Sequence, residues 1–182
     1  MMQLLDAAKS FLDGKIKADD TLVDFTAGNG HDTAYLCSLV PLGKVYAFDI
    51  QKEALDNTAK LLDEKGYGNA ELILDSHANI LKYVPSFKCG MFNLGYRPGG
   101  DKTVTTMTES TLKAVVDGIS IMEKGGVLVI SVYPGHAEGA NEGRALYGLL
   151  STYDKVYYSV VQYRMINSPD SPFIFAVEKY DK

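Results

Sequence analysis

Apolar residues recur along this chain with two alternating spacings. Short, almost continuous apolar runs, such as TLVDF (21–25), KVYAFDI (44–50) and VLVISVY (127–133), are typical of strands buried on both faces of a sheet. Between the runs, apolar residues recur every three or four positions, as in QKEALDNTAKLLDEKG (51–66), which predicts amphipathic helices. Regular alternation of the two patterns predicts parallel strands joined by right-handed helical crossovers.

The same spacings divide the whole chain into predicted elements. We predict strands over 21–25, 44–50, 70–75, 89–96, 127–133, 155–166 and 173–180. We predict helices over 2–14, 31–40, 51–66, 104–126 and 138–153, with a short helix or turn over 77–84. The last two strands follow one another directly, so one antiparallel strand is expected in a mostly parallel, seven-stranded sheet with helices on both faces. This is the Rossmann-like α/β class, in one domain over 1–182.

Composition and charge narrow the classes of protein. Of 182 residues, 46% are hydrophobic and 23% charged, as in ordinary globular proteins. No apolar run approaches the ~20 residues of a membrane span, and the N-terminus lacks signal-peptide features, so we expect a cytoplasmic protein. The net charge of −5 argues against bulk electrostatic binding of nucleic acid, although a local basic patch stays compatible with it. Cys37 and Cys89 lie in apolar surroundings and are expected to be buried and reduced, and no metal site is expected from the three dispersed histidines.

In a sheet of this class, ligands bind beyond the carboxyl ends of the strands, so the residues there are the candidates for chemistry. The first strand runs into DFTAGNGHDT, where Gly28 and Gly30 allow a tight turn before a helix. A dinucleotide fingerprint would place a third glycine where this chain has Thr33. Asp24 is unfavourable for a pyrophosphate but suits an ammonium or sulfonium group. Alternatively, Asp24 or Asp32 serves only as a cap.

The second and third predicted strands also end in acids. Asp49 follows Gly30 by about the ~20 residues expected of an acid that binds ribose hydroxyls, with Gln51 close behind it. Asp49 as a plain helix cap is the alternative. Asp75 and Ser76 are expected to bind an adenine edge, and His77 either stacks on that ring or starts a helix.

The fourth strand ends in FNLGYRPGGDK, more special residues than a turn requires. Asn93 offers a side-chain acceptor, Leu94 and Gly95 offer backbone carbonyls, and Tyr96 offers a ring and a hydroxyl. Such a set can hold an amine or a planar base beside a reactive carbon. The fifth strand is followed by Tyr133 and His136. The loop before the last strand is expected to form a rim, with Arg164 and Asn167 reaching inward.

These motifs resemble a known group of enzymes. The order of elements, with DFTAGNGHD and FDIQ, is similar to class I S-adenosylmethionine-dependent methyltransferases. NLGY is similar to the Asn-Pro-Pro-Tyr motif of methyltransferases that act on exocyclic nitrogens, with Leu94 and Gly95 in place of the prolines. The set TAGNGHDT, FNLGYRPGGDK and YPGHAEG resembles the MnmM (YtqB-like) family over nearly the whole chain.

The resemblance implies a specific reaction and a set of roles. That family methylates the aminomethyl group of the wobble uridine of tRNA, giving 5-methylaminomethyl-2-thiouridine, with S-adenosylmethionine as the donor. The implied cofactor residues are Asp24, Thr26, Gly28, Asn29, Gly30, Asp32, Thr33, Asp49, Gln51, Asp75, Ser76 and His77. The implied catalytic residues are Asn93, Leu94 and Tyr96. The implied substrate residues are Arg97, Lys102, Tyr133, His136, Arg164 and Asn167. The implied partner is the tRNA anticodon loop; a homodimer is the other assembly we consider, and no membrane is expected.

Three other functions are consistent with the residues. One is a methyltransferase for rRNA or a small amine, which the acidic net charge leaves open. Another is a nicotinamide-dependent oxidoreductase, which Thr33 and Asp24 disfavour. The third is a cofactor-binding module without catalysis, which would bind the cofactor without turnover.

Overall fold

A computed structural model of the protein describes residues 3–95, 105–135 and 137–180. Within these residues, seven strands form one sheet: β1 (Thr21–Asp24), β2 (Lys44–Asp49), β3 (Ala70–Leu74), β4 (Phe87–Asn93), β5 (Met122–Val132), β6 (Tyr158–Tyr163) and β7 (Phe173–Lys179). The helices are α1 (Leu4–Ser10), α2 (His31–Leu39), α3 (Lys52–Lys65), α4 (Thr108–Ile121) and α5 (Ala137–Leu150), with a 3₁₀ helix over His77–Lys82.

The strand order is β3-β2-β1-β4-β5-β7-β6. Strands β1 to β5 are mutually parallel, and β7 lies antiparallel between β5 and β6. The predicted sheet, with its single antiparallel strand, is therefore confirmed. Connectivity reverses between β1 and β4, and this switch point opens a crevice at the carboxyl ends of those two strands.

The two faces of the sheet pack on different helices because successive strand residues point to opposite sides. One face places β1 residue Leu22 in a cluster with Ala8 of α1 and Leu36 of α2. The opposite face places Val23 in a cluster with Val115 of α4 and Leu146 of α5. All six of these side chains are buried, so helices cover both faces as predicted.

The predicted boundary between α4 and β5 is wrong. Helix α4 ends at Ile121, and β5 begins at Met122, so Gly125 and Gly126 lie inside the strand rather than ending the helix. A Cβ on Gly126 would lie 2.1 Å from the Lys88 carbonyl oxygen, and Gly125 has a positive φ of 71°. The β4–β5 register shifts in the same place. The two glycines therefore form an irregularity in the strand pair, and β4 accordingly starts at Phe87 instead of residue 89.

Two further findings concern the cysteines and the possibility of a membrane-spanning helix. Cys37 and Cys89 are both buried and free, as predicted. Among the described residues, no helix is both long enough and apolar enough to span a membrane.

Candidate active site at the switch point

The acid at the end of β1 is completely buried. The Thr33 hydroxyl donates to Asp24 Oδ2 at 2.6 Å, and the Thr26 N–H donates to Asp24 Oδ1 at 3.0 Å. Burial, with a smaller contribution from the nearby Asp32 carboxylate, raises the pKa of Asp24 from 3.8 to about 7. The Thr33 side chain is also buried, so this hydrogen bond is shielded from solvent.

The turn after β1 depends on Gly30. Its φ is +83°, and a Cβ there would lie 2.8 Å from Thr58 Cα on α3. Any larger residue would strain the backbone and separate α2 from α3. Gly30 is also the residue from which α2 starts, so the first N–H groups of that helix face the crevice.

Asp49, at the end of β2, connects the glycine turn to the next helix. Its Oδ2 accepts from the Gly28 N–H, and its Oδ1 accepts from the Gln51 N–H, both at 2.9 Å. Gln51 is the N-cap residue of α3, so Asp49 bonds the residue that precedes the helix and does not itself occupy the cap position. An ionised carboxylate offers about four lone pairs, so two are left for ligand hydroxyls.

Asp75 organises the turn after β3. Its carboxylate accepts from Asn79 Nδ2 and from the Tyr83 hydroxyl, each at 2.8 Å, and from the Ser76 N–H at 2.7 Å. These hydrogen bonds, led by that of Asn79, lower the pKa of Asp75. The Ser76 hydroxyl oxygen accepts from the Ala78 N–H and so caps the 3₁₀ helix.

His77 starts the 3₁₀ helix, and its ring lies inside the fold. It is 8% exposed, and its ring centroid is 4.7 Å from that of Phe92 on β4. Burial lowers the pKa of His77 to about 4, partly opposed by a hydrogen bond to the backbone of Phe25. Within the described part of the chain, Nε2 has no hydrogen-bond partner. The ring therefore packs on Phe92, which differs from an exposed platform for adenine.

Asn93, the last residue of β4, is held at three polar atoms. The Thr26 hydroxyl donates to its carbonyl oxygen at 2.9 Å and accepts from its N–H at 3.0 Å. Its side-chain Nδ2 donates to Asp32 Oδ2 at 2.6 Å. Asn93 is partly exposed and ends β4, so it lies at the edge of the sheet where ligands bind in this fold class.

Leu94 and Gly95 shape the backbone where related motifs have prolines. The Leu94 N–H donates to the Ser131 carbonyl at 2.9 Å, and its side chain is buried in the core, so a role in binding falls to its backbone. Gly95 has a φ of 115° and pairs twice with Thr106: its N–H donates to Oγ1 at 2.8 Å, and its carbonyl accepts from the Thr106 N–H at 3.1 Å. The Gly95 carbonyl, predicted to be open to ligand, is therefore already hydrogen-bonded.

This donor and acceptor set fits a cationic ligand that carries hydroxyls. Asp24 and Asp32 interact electrostatically with each other, and Asp49 contributes further to the potential at Asp24. An amino-acid ammonium and a sulfonium suit such a crevice, and a ribose diol suits the unused lone pairs of Asp49. A pyrophosphate would meet like charge, so the residues present fit S-adenosylmethionine better than a nicotinamide dinucleotide.

Comparison with known proteins places this geometry in a family. The family described as "Putative rRNA methylase" matches residues 45–178 of the chain. The chain belongs to this family. A "putative rRNA-methylase" from Clostridium thermocellum is 34% identical, with a TM-score of 0.95 and 98% of each chain covered. A "putative methyltransferase" from Streptococcus mutans, solved in complex with SAH, is 34% identical with a TM-score of 0.91 over 98% of this chain and 99% of that one.

A longer plant relative also matches this chain. It is the chloroplastic tRNA (mnm(5)s(2)U34)-methyltransferase of Arabidopsis thaliana, 33% identical over 173 residues, which cover 87% of the present chain. The match spans 63% of the plant protein, so about a third of that protein has no counterpart in the alignment.

Four predicted site residues lie outside the described residues: the catalytic candidate Tyr96 and the substrate candidates Arg97, Lys102 and His136. Tyr133 is described and lies just beyond β5. Burial, and secondarily the Asp32 carboxylate, raise the pKa of Tyr133. The Tyr133 side chain therefore shares the electrostatic environment of the crevice with Asp32.

The loop between β6 and β7 lies at the same edge of the sheet, but its arginine is directed elsewhere. Arg164 Nη2 donates to the Pro169 carbonyl at 2.6 Å, and its guanidinium lies 4.7 Å from the centre of the Phe173 ring. Asn167 is exposed. The structure therefore shows Arg164 bound within its own loop, and its inward reach stays a prediction.

Sequence reasoning did not single out two residues that complete the site. Ile50, between Asp49 and Gln51, is 58% exposed, which is unusual for an isoleucine beside a strand and offers an apolar surface next to the ribose-binding candidate. Thr106 fixes Gly95, as described above. The apolar residue after the strand-end acid was a usable signal for Ile50, whereas nothing local marks Thr106 as the partner of Gly95.

Proposed function

We propose that the protein is an S-adenosylmethionine-dependent methyltransferase that methylates the 5-aminomethyl group of wobble 5-aminomethyl-2-thiouridine in tRNA. The product is 5-methylaminomethyl-2-thiouridine. The name of the Arabidopsis relative supports the tRNA substrate, and the S. mutans relative with SAH supports the cofactor. SAH is what S-adenosylmethionine becomes after it gives up its methyl group.

The observation that carries the proposal is the fixed side chain of Asn93. Its backbone is tied to Thr26 and its Nδ2 to Asp32, which leaves Oδ1 as an acceptor at the mouth of the acidic crevice. An amine that donates an N–H to this oxygen is held in one orientation. The lone pair of the amine then points away from Asn93. Alignment alone supplies a large part of the rate of such a transfer, because the reacting atoms need an approach of about 3 Å in line with the leaving group.

The cofactor residues act by binding and orienting. When bound, S-adenosylmethionine supplies a methyl group already activated by its positively charged sulfur. Asp49 accepts the ribose hydroxyls with its two unused lone pairs, and Ile50 covers one face of the adenine. The Asp24 and Asp32 carboxylates favour the positive end of the cofactor.

The amine of the substrate must lose its proton to react. An alkylamine such as that of lysine has a pKa near ~10.4 in water. Burial in the crevice and the positive sulfur both disfavour the ammonium form, and so they lower that pKa. Asn93 Oδ1 accepts an N–H from either form, so it holds the group while solvent takes the proton.

The tRNA is expected to enter at the carboxyl edge of the sheet. Recognition of a single-stranded loop with its base turned outward is the usual way in which proteins read RNA by sequence. The net charge of −5 requires that phosphate contacts be local, and Arg97 and Lys102 of the β4–α4 segment are the proposed contributors.

The test is single-turnover transfer from methyl-labelled S-adenosylmethionine. The acceptors are tRNA carrying 5-aminomethyl-2-thiouridine, the same tRNA without the modification, rRNA and small alkylamines. Label on the aminomethyl tRNA alone supports the proposal. Label on rRNA or on free amines, with none on the aminomethyl tRNA, would refute this substrate and favour the wider methyltransferase alternatives.

A further inference from the structure

We infer that Asp32 is a positioning residue that sets the orientation of the Asn93 carboxamide, so that the amide oxygen faces the substrate amine. Asp32 would otherwise be taken only for a cofactor residue of the glycine turn. The inference rests on the proposed function, since the amine is the group that the oriented oxygen receives.

The side-chain nitrogen of Asn93 is the donor in its hydrogen bond with Asp32. A carboxylate can only accept hydrogen bonds, so the atom of Asn93 that lies 2.6 Å from Asp32 Oδ2 must be the amide nitrogen. An amide oxygen in that place would put two acceptors in contact. Asp32 therefore removes the two-fold ambiguity that an isolated carboxamide has.

The second step is that rotation of the whole residue is also prevented. The Thr26 hydroxyl bonds both the N–H and the carbonyl of Asn93. With the backbone fixed by β1 and the nitrogen fixed by α2, the direction of Oδ1 is determined. A preorganised acceptor of this kind is what an alignment mechanism needs.

The third step is that Asp32 itself is well anchored. It lies in the first turn of α2, where the helix dipole favours a negative charge. Its neighbour Thr33 is bonded to the buried Asp24, and Gly30 starts the helix with a close approach to Thr58. The carboxylate is thus carried by a rigid element that is packed on both β1 and α3.

The experiment exchanges the two residues between positions 32 and 93. The variants are Asp32→Asn, Asn93→Asp and the double variant that carries both. Asp56→Asn is the matched control, because Asp56 is an exposed acid that pairs with Lys52 on the surface of α3. The single-turnover rate on the aminomethyl tRNA, at saturating labelled S-adenosylmethionine and tRNA, and the Kd for SAH by calorimetry are measured for each.

We expect Asp32→Asn to slow transfer by ~10-fold or more, because the new amide permits either orientation of its neighbour, and a misaligned group can cost up to ~100-fold. Asn93→Asp should be slower still, since it places two carboxylates in contact. The double variant should be ~10-fold or more faster than Asn93→Asp, because the amide at position 32 now donates to the carboxylate at position 93. The Kd for SAH should change by far less than the rate, because each variant alters the direct hydrogen bond between positions 32 and 93, whereas any effect on the cofactor is electrostatic only.

Two results would overturn the inference. One is a Kd for SAH that weakens in step with the rate in Asp32→Asn, which would make Asp32 a cofactor ligand. The other is a double variant no faster than Asn93→Asp although it is folded by circular dichroism. Failure of the proposed function is recognised separately, because it removes label from the aminomethyl tRNA already in the wild-type protein and in Asp56→Asn. In that event, the inference about the amine falls with it.

Discussion

A single hydroxyl group, that of Thr26, ties both backbone polar groups of Asn93 to the end of β1. Oγ1 donates to the Asn93 carbonyl oxygen at 2.9 Å and accepts from the Asn93 N–H at 3.0 Å. The two residues are 67 positions apart in sequence and meet where β1 and β4 separate at the switch point. The hydroxyl thereby continues the strand pairing for one more residue and holds Asn93 at the mouth of the crevice.

The first prediction follows from this bridge. Thr26→Val keeps the shape of the side chain but removes both hydrogen bonds, and we expect it to slow methyl transfer by ~10-fold or more through loss of alignment. It should also lower the free energy of unfolding by about 1–3 kcal/mol, because two partly buried backbone groups lose their partner. Thr26→Ser, which keeps the hydroxyl, is the control in single-turnover assays and urea unfolding. Equal rates for the valine and serine variants would show that the bridge does not matter for transfer.

The second prediction separates packing from backbone strain at the glycine turn. Gly30 and Gly66 both have positive φ, but a Cβ at Gly30 meets Thr58, whereas one at Gly66 meets nothing within 4 Å. We expect Gly66→Ala to cost only backbone strain, on the order of 1 kcal/mol. Gly30→Ala should cost more, by about 1–3 kcal/mol, because it also forces α2 and α3 apart. Urea unfolding measures both, and SAH binding should weaken only in Gly30→Ala. Equal losses of stability in the two variants would contradict the packing argument.

Much of the fold could be predicted because the apolar pattern determines burial. The runs TLVD and VLVISV are buried almost throughout and form β1 and the second half of β5. Their continuity required a sheet covered on both faces. The end of α4 could not be placed, because Gly125 and Gly126 look locally like a helix stop. Gly126 approaches the Lys88 backbone and Gly125 approaches the Lys88 side chain, and Lys88 belongs to β4, which is distant in sequence.

The acids of the candidate site could be predicted from the sequence, but the hydrogen bonds that join its residues could not. Asp24, Asp49 and Asp75 each end a strand, and the topology therefore brings them to one edge of the sheet. The pairing of Asp32 with Asn93 and that of Gly95 with Thr106 depend on how α2 and α4 settle on the sheet, which no local pattern reports. His77 starts a helix, as one of its two alternatives had it, and its burial against Phe92 is a tertiary contact that no local pattern reports.

The third prediction concerns the affinity for the cofactor as pH changes. Burial, reinforced by Asp32, raises the pKa of Asp24 to about 7, so its negative charge forms as the pH rises through about 7. The positive sulfur of S-adenosylmethionine gains from that charge, whereas the neutral sulfur of SAH does not. The ratio of the Kd for SAH to the Kd for S-adenosylmethionine should therefore increase several-fold between about pH 6 and pH 8 and then level off.

The control for this prediction is Asp24→Asn, in which the ratio should rise several-fold less over the same range. Comparing the two proteins removes the titration of the ligands' own amino and carboxyl groups, because the same ligands are used with both. A ratio that stays constant in the wild-type protein would mean that Asp24 lies too far from the sulfur to act on it.

The last prediction concerns stability, because Asp24 and His77 respond to pH in opposite directions. The pKa of Asp24 is about 7 in the folded protein and 3.8 ordinarily, so the folded state binds this proton more tightly. Its contribution to the free energy of unfolding therefore falls by about 1.4 kcal/mol per pH unit as the pH rises from about 4 to about 7. The pKa of His77 is about 4 in the folded protein and 6.5 ordinarily, so here the unfolded state binds the proton more tightly. Its contribution rises with the same slope from about pH 4 to about pH 6.5, and in that window the two largely cancel.

Replacing either Asp24 or His77 should reveal the pH dependence of stability that the other residue contributes. We expect the unfolding free energy of Asp24→Asn, relative to wild type, to rise with pH between about 4.5 and 6.5, and that of His77→Asn to fall over the same range. Urea unfolding at several pH values measures both differences, and subtracting the wild-type curve removes every titrating group that the proteins share. Variant curves that run parallel to the wild-type curve would mean that neither group titrates differently in the folded and unfolded chains, and the burial of both would then have no consequence for stability.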